Sequence, residues 1–224
     1  MPRLPFQFLL PARSVPVTRW RAPSRWRGSP LTLLVLLAGL WLFGTGEGLL
    51  IDAGLGVSPW IVLAQGSARQ TGTVIGLATF LISVVVLLLW IPLRQKPGLG
   101  TLANAVVIAV SISVAVAVLP EPDAVGWRLA EVLLGIVLIG IGSGFYLTTG
   151  MGAGPRDGLM TGLHQRTGVA VTPVRLAIEV AVLGTGWLLG GTVGVGTVLF
   201  ALLVGPAVGY GLGLAGRLGA ARDR

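Results

Sequence analysis

The chain contains no cysteine and a single histidine, His164. Disulfides, thiolate nucleophiles and cysteine-ligated metals are excluded, and a histidine-led metal cluster has nothing to build on. Charge is also scarce. Asp, Glu, Lys and Arg make up 11% of the 224 residues, against about 25% in a soluble domain. Hydrophobic residues reach 54%, and mean hydropathy is +0.88. So apolar a chain cannot cover a folded surface with polar groups, so lipid must be part of its solvent. Ser-x-x-Lys, Gly-x-Ser-x-Gly, His-Glu-x-x-His and a Gly-Lys-Thr phosphate loop are all missing. Without a nucleophile–base set the chain is expected not to be an enzyme, and no cofactor or metal is expected.

What is abundant is long apolar sequence and glycine, with 35 Gly. A bilayer span needs about 20 apolar residues. Six runs meet or approach that length: Leu31–Ile51, Thr73–Leu93, Thr101–Leu119, Leu129–Thr149, Pro173–Gly190 and Gly194–Ala215. The first run is longer than the apolar core of a cleaved signal, so it reads as a retained span. Pro120, Pro122 and Gly126 mark the break between the third and fourth runs.

Net charge is +8, unevenly spread. Arg3, Arg13, Arg19, Arg21, Arg25 and Arg27 precede the first run with no acid among them. Such an arm could suggest nucleic acid, but beside a span it reads as a topology signal, and no nucleic-acid partner is expected. With the N-terminus inside, fourteen Lys and Arg fall on the cytoplasmic side and only Arg69 and Arg128 outside. The expected organisation is a disordered basic cytoplasmic tail (1–29), two membrane repeats (30–119 and 128–215) and a basic cytoplasmic C-terminus (216–224).

The repeats follow from a motif written twice: "GLGVSPW" at 54–60 and "GMGAGPR" at 150–156. A shift of 96 residues superimposes Gly44, Gly46 and Gly48 on Gly140, Gly142 and Gly144. The same shift carries Gly54, Gly56 and Pro59 onto Gly150, Gly152 and Pro155, and Gly98, Gly100 and Thr101 onto Gly194, Gly196 and Thr197. Each half holds three crossings, an odd number, so the second half should enter from the opposite face. The expected fold is an all-α transmembrane bundle of six spans, arranged as two inverted three-helix repeats.

Gly and Pro disfavour helix interiors, but Pro suits a first turn. Pro59 and Pro155 should therefore start short helices over 59–70 and 155–166. Each would be about 18 Å long, too short to cross a core of about 30 Å. They either lie at the interface or dip into the membrane. In the second case their N–H groups face the break, which must line a cavity or be packed in protein.

Ionisable groups inside the spans complete the candidates. Glu47 has no basic residue near it in its own span, so it must be protonated, reach water or pair across helices. Its counterpart under the shift is Ser143. Arg175 and Glu179 are spaced as an (i, i+4) pair, an anchor or part of a site. Asp157, beside Arg156, is either a helix-terminal cap or part of a site. Asp52 ends the first span, and Asn104 lies inside the third. The substrate-path candidates are Glu47, Asp52, Ser58, Pro59, Asn104, Gly154, Pro155, Arg156, Asp157, Arg175 and Glu179. Trp20, Trp26, Trp60, Trp90 and Trp127 lie near span ends and read as interfacial anchors.

The stretches "GLGVSPW", "RQKPGLGT", "GMGAGPRDGLM" and "RLAIEV…GWLLGGTVGVGT" resemble the YczE-like group of bacterial membrane proteins, which includes YyaS and YitT. The resemblance covers residues 35–212. It implies a multi-pass protein of the bacterial plasma membrane and imports no substrate. The function expected is a small secondary transporter or permease for a small molecule or ion. Six spans make a thin wall, so a homodimer is expected. The alternative is a scaffold or regulatory partner that transports nothing.

Overall fold

The computed structural model describes residues 14–120 and 122–220, and Arg3, Arg13, Arg222 and Arg224 of the expected basic ends lie outside them. Among the described residues the fold is all-helical. The helices are α1 (Pro30–Asp52), α2 (Pro59–Thr71), α3 (Ile75–Leu93), α4 (Leu99–Val118), α5 (Val125–Thr148), α6 (Pro155–Thr167), α7 (Val171–Leu188) and α8 (Val195–Leu218). All but α2 and α6 are long and apolar enough to cross a membrane. The helix α5 begins earlier than hydropathy suggests, because Gly126, Trp127 and Arg128 are helical and Arg128 Nε donates to the Pro122 carbonyl at 2.9 Å.

Helices α1 and α5 form the centre. They run antiparallel and almost touch, with Gly39 against Gly142 and Gly46 against Gly135. A Cβ on Gly142 would stand 2.5 Å from the Gly39 carbonyl oxygen, and one on Gly46 would stand 2.5 Å from that of Gly135. Small residues let backbones approach in this way where lipid supplies no hydrophobic drive. Leu36, Leu40, Leu50, Ile112, Val132, Ile136 and Ile139 fill the rest of the core. Outside it, Leu81, Leu88, Leu176, Leu188 and Leu202 face outward from α3, α7 and α8.

The two Gly-x-Gly breaks are each fastened to a helix start in the other half of the chain. Gly196 N donates to the Leu55 carbonyl at 2.8 Å, and Gly100 N donates to that of Met151 at 2.9 Å. Gly56 (φ +105°) and Gly152 (φ +122°) adopt backbone conformations that side chains resist. A Cβ on either would meet a threonine hydroxyl, Thr197 Oγ1 at 2.7 Å or Thr101 Oγ1 at 2.6 Å. Those threonines also accept from the N–H of Gly194 (3.3 Å) and Gly98 (3.1 Å), which caps α8 and α4.

Residues 14–29 correct the expectation of a disordered tail. Trp20 is buried, stacks at a tilt on Phe145 and donates from Nε1 to Thr148 Oγ1 at 3.0 Å. Backbone bonds then tie Arg19 to Gly219 (2.7 Å), Ala22 to Thr149 (2.8 Å) and Leu99 to Arg25 (2.9 Å). One buried indole and a row of backbone bonds hold this strap across the ends of α5 and α8 and the start of α4. Neither feature leaves a periodic pattern in sequence.

Candidate functional site

The helices α2 and α6 both start with Pro at N1, after Ser58 and Gly154 as N-caps. Their first turns face one partly open cavity of about 180 Å³, bounded by α1 and α5 and lined also by residues of α3, α4, α7 and α8. Ser58, Pro59 and Trp60 enter it from α2, and Gly154, Pro155, Arg156 and Asp157 from α6. Glu47, Asn104, Arg175 and Glu179 also line it. Of the sequence-derived candidates, only Asp52 is not part of the lining. It ends α1 within electrostatic range of Glu131.

The lining has an internal order. Phe43, Glu47, Ser58, Pro59, Trp60, Thr79, Ser83, Asn104 and Ile108 each line the cavity, and so does the residue 96 positions later in every case: Ile139, Ser143, Gly154, Pro155, Arg156, Arg175, Glu179, Phe200 and Val204. Backbone positions correspond, but chemistry does not. Trp60, Thr79 and Ser83 occupy the places that Arg156, Arg175 and Glu179 hold in the other half.

The polar contacts run across helices. Glu47 is fully buried, and its Oε1 accepts from the Ser58 hydroxyl at 2.9 Å. Arg156 Nη1 stands 3.9 Å from the same oxygen. That is an ion pair, but it lies beyond the 2.7–3.2 Å of an N–H···O hydrogen bond. The other oxygen, Oε2, is buried with no hydrogen-bond partner. The Arg156 guanidinium lies over the Trp60 ring, 5.1 Å from its centre, in cation–π geometry. Tyr146 donates its hydroxyl proton to Asp157 Oδ2 at 3.0 Å. Arg175 and Glu179 form the (i, i+4) pair at 2.8 Å.

Three tryptophans depart from their expected role as interfacial anchors. Trp20 belongs to the strap, Trp60 forms a wall of the cavity, and Trp90 is buried and donates from Nε1 to the Pro155 carbonyl at 2.9 Å. Trp26 and Trp127 are exposed. Sequence reasoning missed Trp60, Thr79, Ser83 and Tyr146 as site residues. The first three could have been found by carrying Arg156, Arg175 and Glu179 back by 96 positions. No such signal marks Tyr146, whose counterpart Leu50 lies outside the lining.

The far ends of the short helices are also clasped. Gln70 Nε2 at the end of α2 donates to the Leu189 carbonyl at 3.0 Å, and Arg69 bonds that of Gly190. At the end of α6, Gln95 Nε2 donates to Gln165 Oε1 at 2.8 Å, and Arg166 bonds the Pro92 carbonyl. His164 donates from Nδ1 to the Val169 carbonyl at 2.7 Å, away from the cavity lining.

Residues 31–211 match DUF6198, a family of unknown function. An uncharacterized protein of Haemophilus influenzae is 46% identical over 206 residues, covering 92% of this chain and 94% of that one. The membrane protein YczE of Bacillus subtilis is 34% identical over 177 residues, covering 78% and 82%. YyaS of the same organism is 29% identical over 171 residues, covering 75% and 85%. No solved structure matches the chain.

Proposed function

This chain belongs to the DUF6198 family, and from that premise we propose that it is a small secondary transporter of the bacterial plasma membrane, built from two halves of opposite membrane polarity around one central site. The observation that carries this reading is the meeting of both short-helix starts in a single cavity lined by equivalent positions of the two halves. Irregular backbone at membrane depth is tolerated where it is packed in protein or lines a cavity. Paired broken helices meeting between inverted repeats are the usual construction of a carrier site. The antiparallel α1–α5 crossing and the reciprocal bonds of Leu55 with Gly196 and of Met151 with Gly100 support the inverted relation.

In this reading the clasps at the ends of α2 and α6 are the two gates. The Arg69–Gly190 clasp closes the outer side, and Arg166–Pro92 closes the cytoplasmic side. The protein then moves a solute without transforming it. Both termini then lie in the cytoplasm, a reading that the arginine distribution supports.

Orientation is directly testable because the natural chain has no cysteine. Thr71→Cys and Thr167→Cys place single exposed thiols at the ends of α2 and α6. A membrane-impermeant maleimide applied to intact cells should label position 71 and spare position 167 until the cells are permeabilised. Labelling of both from the same side would end the inverted arrangement. Transport itself is tested by solute flux in proteoliposomes, where Glu47→Gln should lower flux by at least tenfold. A variant with wild-type flux would remove Glu47 from the route. Absence of flux across a broad panel, with one stoichiometric partner recovered from membranes, would favour the scaffold alternative.

A further inference from the structure

On the reading of the central cavity as the transport site, we propose that its ligand is a small zwitterion of the amino-acid type. Its ammonium group is held by Glu47 Oε2 and its carboxylate by the Arg156 guanidinium.

Two unsatisfied groups of opposite kind stand side by side. Glu47 is completely buried, and one of its carboxylate oxygens is without a donor. A buried acceptor left in that state costs free energy until something donates to it. Among the described residues the Arg156 guanidinium pairs with the Glu47 carboxylate at 3.9 Å, lies over the Trp60 face within electrostatic range of Asp157 and Glu179, and makes no hydrogen bond. Its side chain keeps 24% of its surface accessible. A guanidinium offers five donors in a planar fork suited to a carboxylate. The site thus presents one orphan acceptor, Glu47 Oε2, on the carboxylate whose other oxygen stands 3.9 Å from a guanidinium with unused donors. An α-amino acid carries the complementary pair, an ammonium donor and a carboxylate acceptor on one carbon.

Charge balance selects the same class. Arg175 and Glu179 satisfy each other. That leaves the Glu47 and Asp157 carboxylates, the Arg156 cation, and the N-terminal ends of α2 and α6, each worth about half a positive charge. These sum to near neutrality, so a solute of no net charge enters without leaving an unpaired charge in a low-dielectric site. A free anion would compete with two carboxylates already placed at those helix ends. Glu47 takes the Ser58 hydroxyl at the start of α2, and Asp157 lies in the first turn of α6. A free cation would leave Arg156 without a counter-ion. A cavity of about 180 Å³ exceeds the ~150 Å³ known to hold a benzene ring. Phe43, Ile139 and Phe200 supply apolar wall for a short side chain.

The test uses three molecules of similar shape and different charge: L-valine, isobutylamine, which lacks its carboxylate, and isovalerate, which lacks its ammonium. Glycine, L-alanine, L-proline and L-leucine extend the zwitterion series. Titration calorimetry on the purified full chain in detergent should give at least tenfold tighter binding for one or more of the zwitterions than for either truncated analogue. Glu47→Gln and Arg156→Gln should each remove at least tenfold of that affinity. Arg156→Lys keeps the charge without the fork and should fall between. Tighter binding of isobutylamine or isovalerate, or no binding of any of the seven compounds, overturns the proposal. The comparison of analogues on the natural chain stands even if a variant does not fold. Counterflow in proteoliposomes separates the two levels. Zwitterion binding without flux keeps the ligand and discards the transporter, while flux of a cation or anion alone keeps the transporter and discards the ligand.

Discussion

The Ser58–Glu47 hydrogen bond gives the sharpest measure of how the cavity is held together. Among the described residues the Glu47 side chain has one hydrogen bond, from Ser58 at 2.9 Å, and a counter-ion too distant to bond it. Ser58→Ala removes that bond and leaves the whole carboxylate dependent on Arg156. A hydrogen bond to a charged group contributes about 1.5–3 kcal/mol, and one between neutral groups about 0.5–1.5 kcal/mol. In a chain of this size each kcal/mol moves Tm by about 2–4 °C. Ser58→Ala should therefore lower Tm by roughly 3–12 °C. In a Glu47→Gln background the same change should cost roughly 1–6 °C, because the acceptor is now neutral. The double-mutant cycle should return a coupling of about 1 kcal/mol. Thermal unfolding in detergent, followed by tryptophan fluorescence at a fixed scan rate, provides all four corners. Equal costs in both backgrounds would refute the assignment of Glu47 as the charged partner of the α2 start.

Other positions make independent predictions. Gly142→Ala forces a methyl to 2.5 Å from the Gly39 carbonyl oxygen, and such overpacking should cost about 1–3 kcal/mol, read as a lower Tm. The matched control is Gly184→Ala in α7, where the added Cβ meets open space, and helix propensity should then favour alanine by up to about 1 kcal/mol. Tyr146→Phe removes the donor to Asp157 Oδ2 and should cost about 1–3 kcal/mol, an effect that shrinks in an Asp157→Ala background. Trp20→Ala empties a buried site and frees the strap, so a loss of about 3–5 kcal/mol should come with faster proteolysis between residues 14 and 29. Trp127→Ala, at an exposed ring, should change Tm in detergent little.

Much of this architecture was legible because its causes are local or strictly periodic. Hydropathy finds a span wherever lipid is the solvent, and the Pro-led motif finds α2 and α6 because it breaks a helix and restarts one. Glu47 announced its need of a partner across helices through the lack of any base nearby in its span. The shift of 96 residues carried more than was drawn from it, since it also leads from Arg156 to Trp60. What escaped depends on direction in space. A tryptophan near a span end has the same sequence context whether its ring is exposed, as at Trp127, or packed on a neighbouring helix, as at Trp90. The Tyr146–Asp157 bond crosses the α5–α6 loop, whose path is set by contacts with Gly98 and Thr101 in the other half. The strap is held by backbone groups, which every residue possesses.

The cross-fastening of the two breaks has a consequence for biosynthesis. The Leu55 carbonyl receives its donor only when Gly196 exists, which at about 5–20 residues per second is on the order of ten seconds after Leu55 itself is polymerised. Through that interval the nascent first half sits in the bilayer with an incomplete loop and with the α1 surface that will receive α5 still bare. It must then be sheltered by the insertion machinery or by lipid, and two separately expressed fragments should each be short-lived alone yet stabilise one another when produced in the same cell.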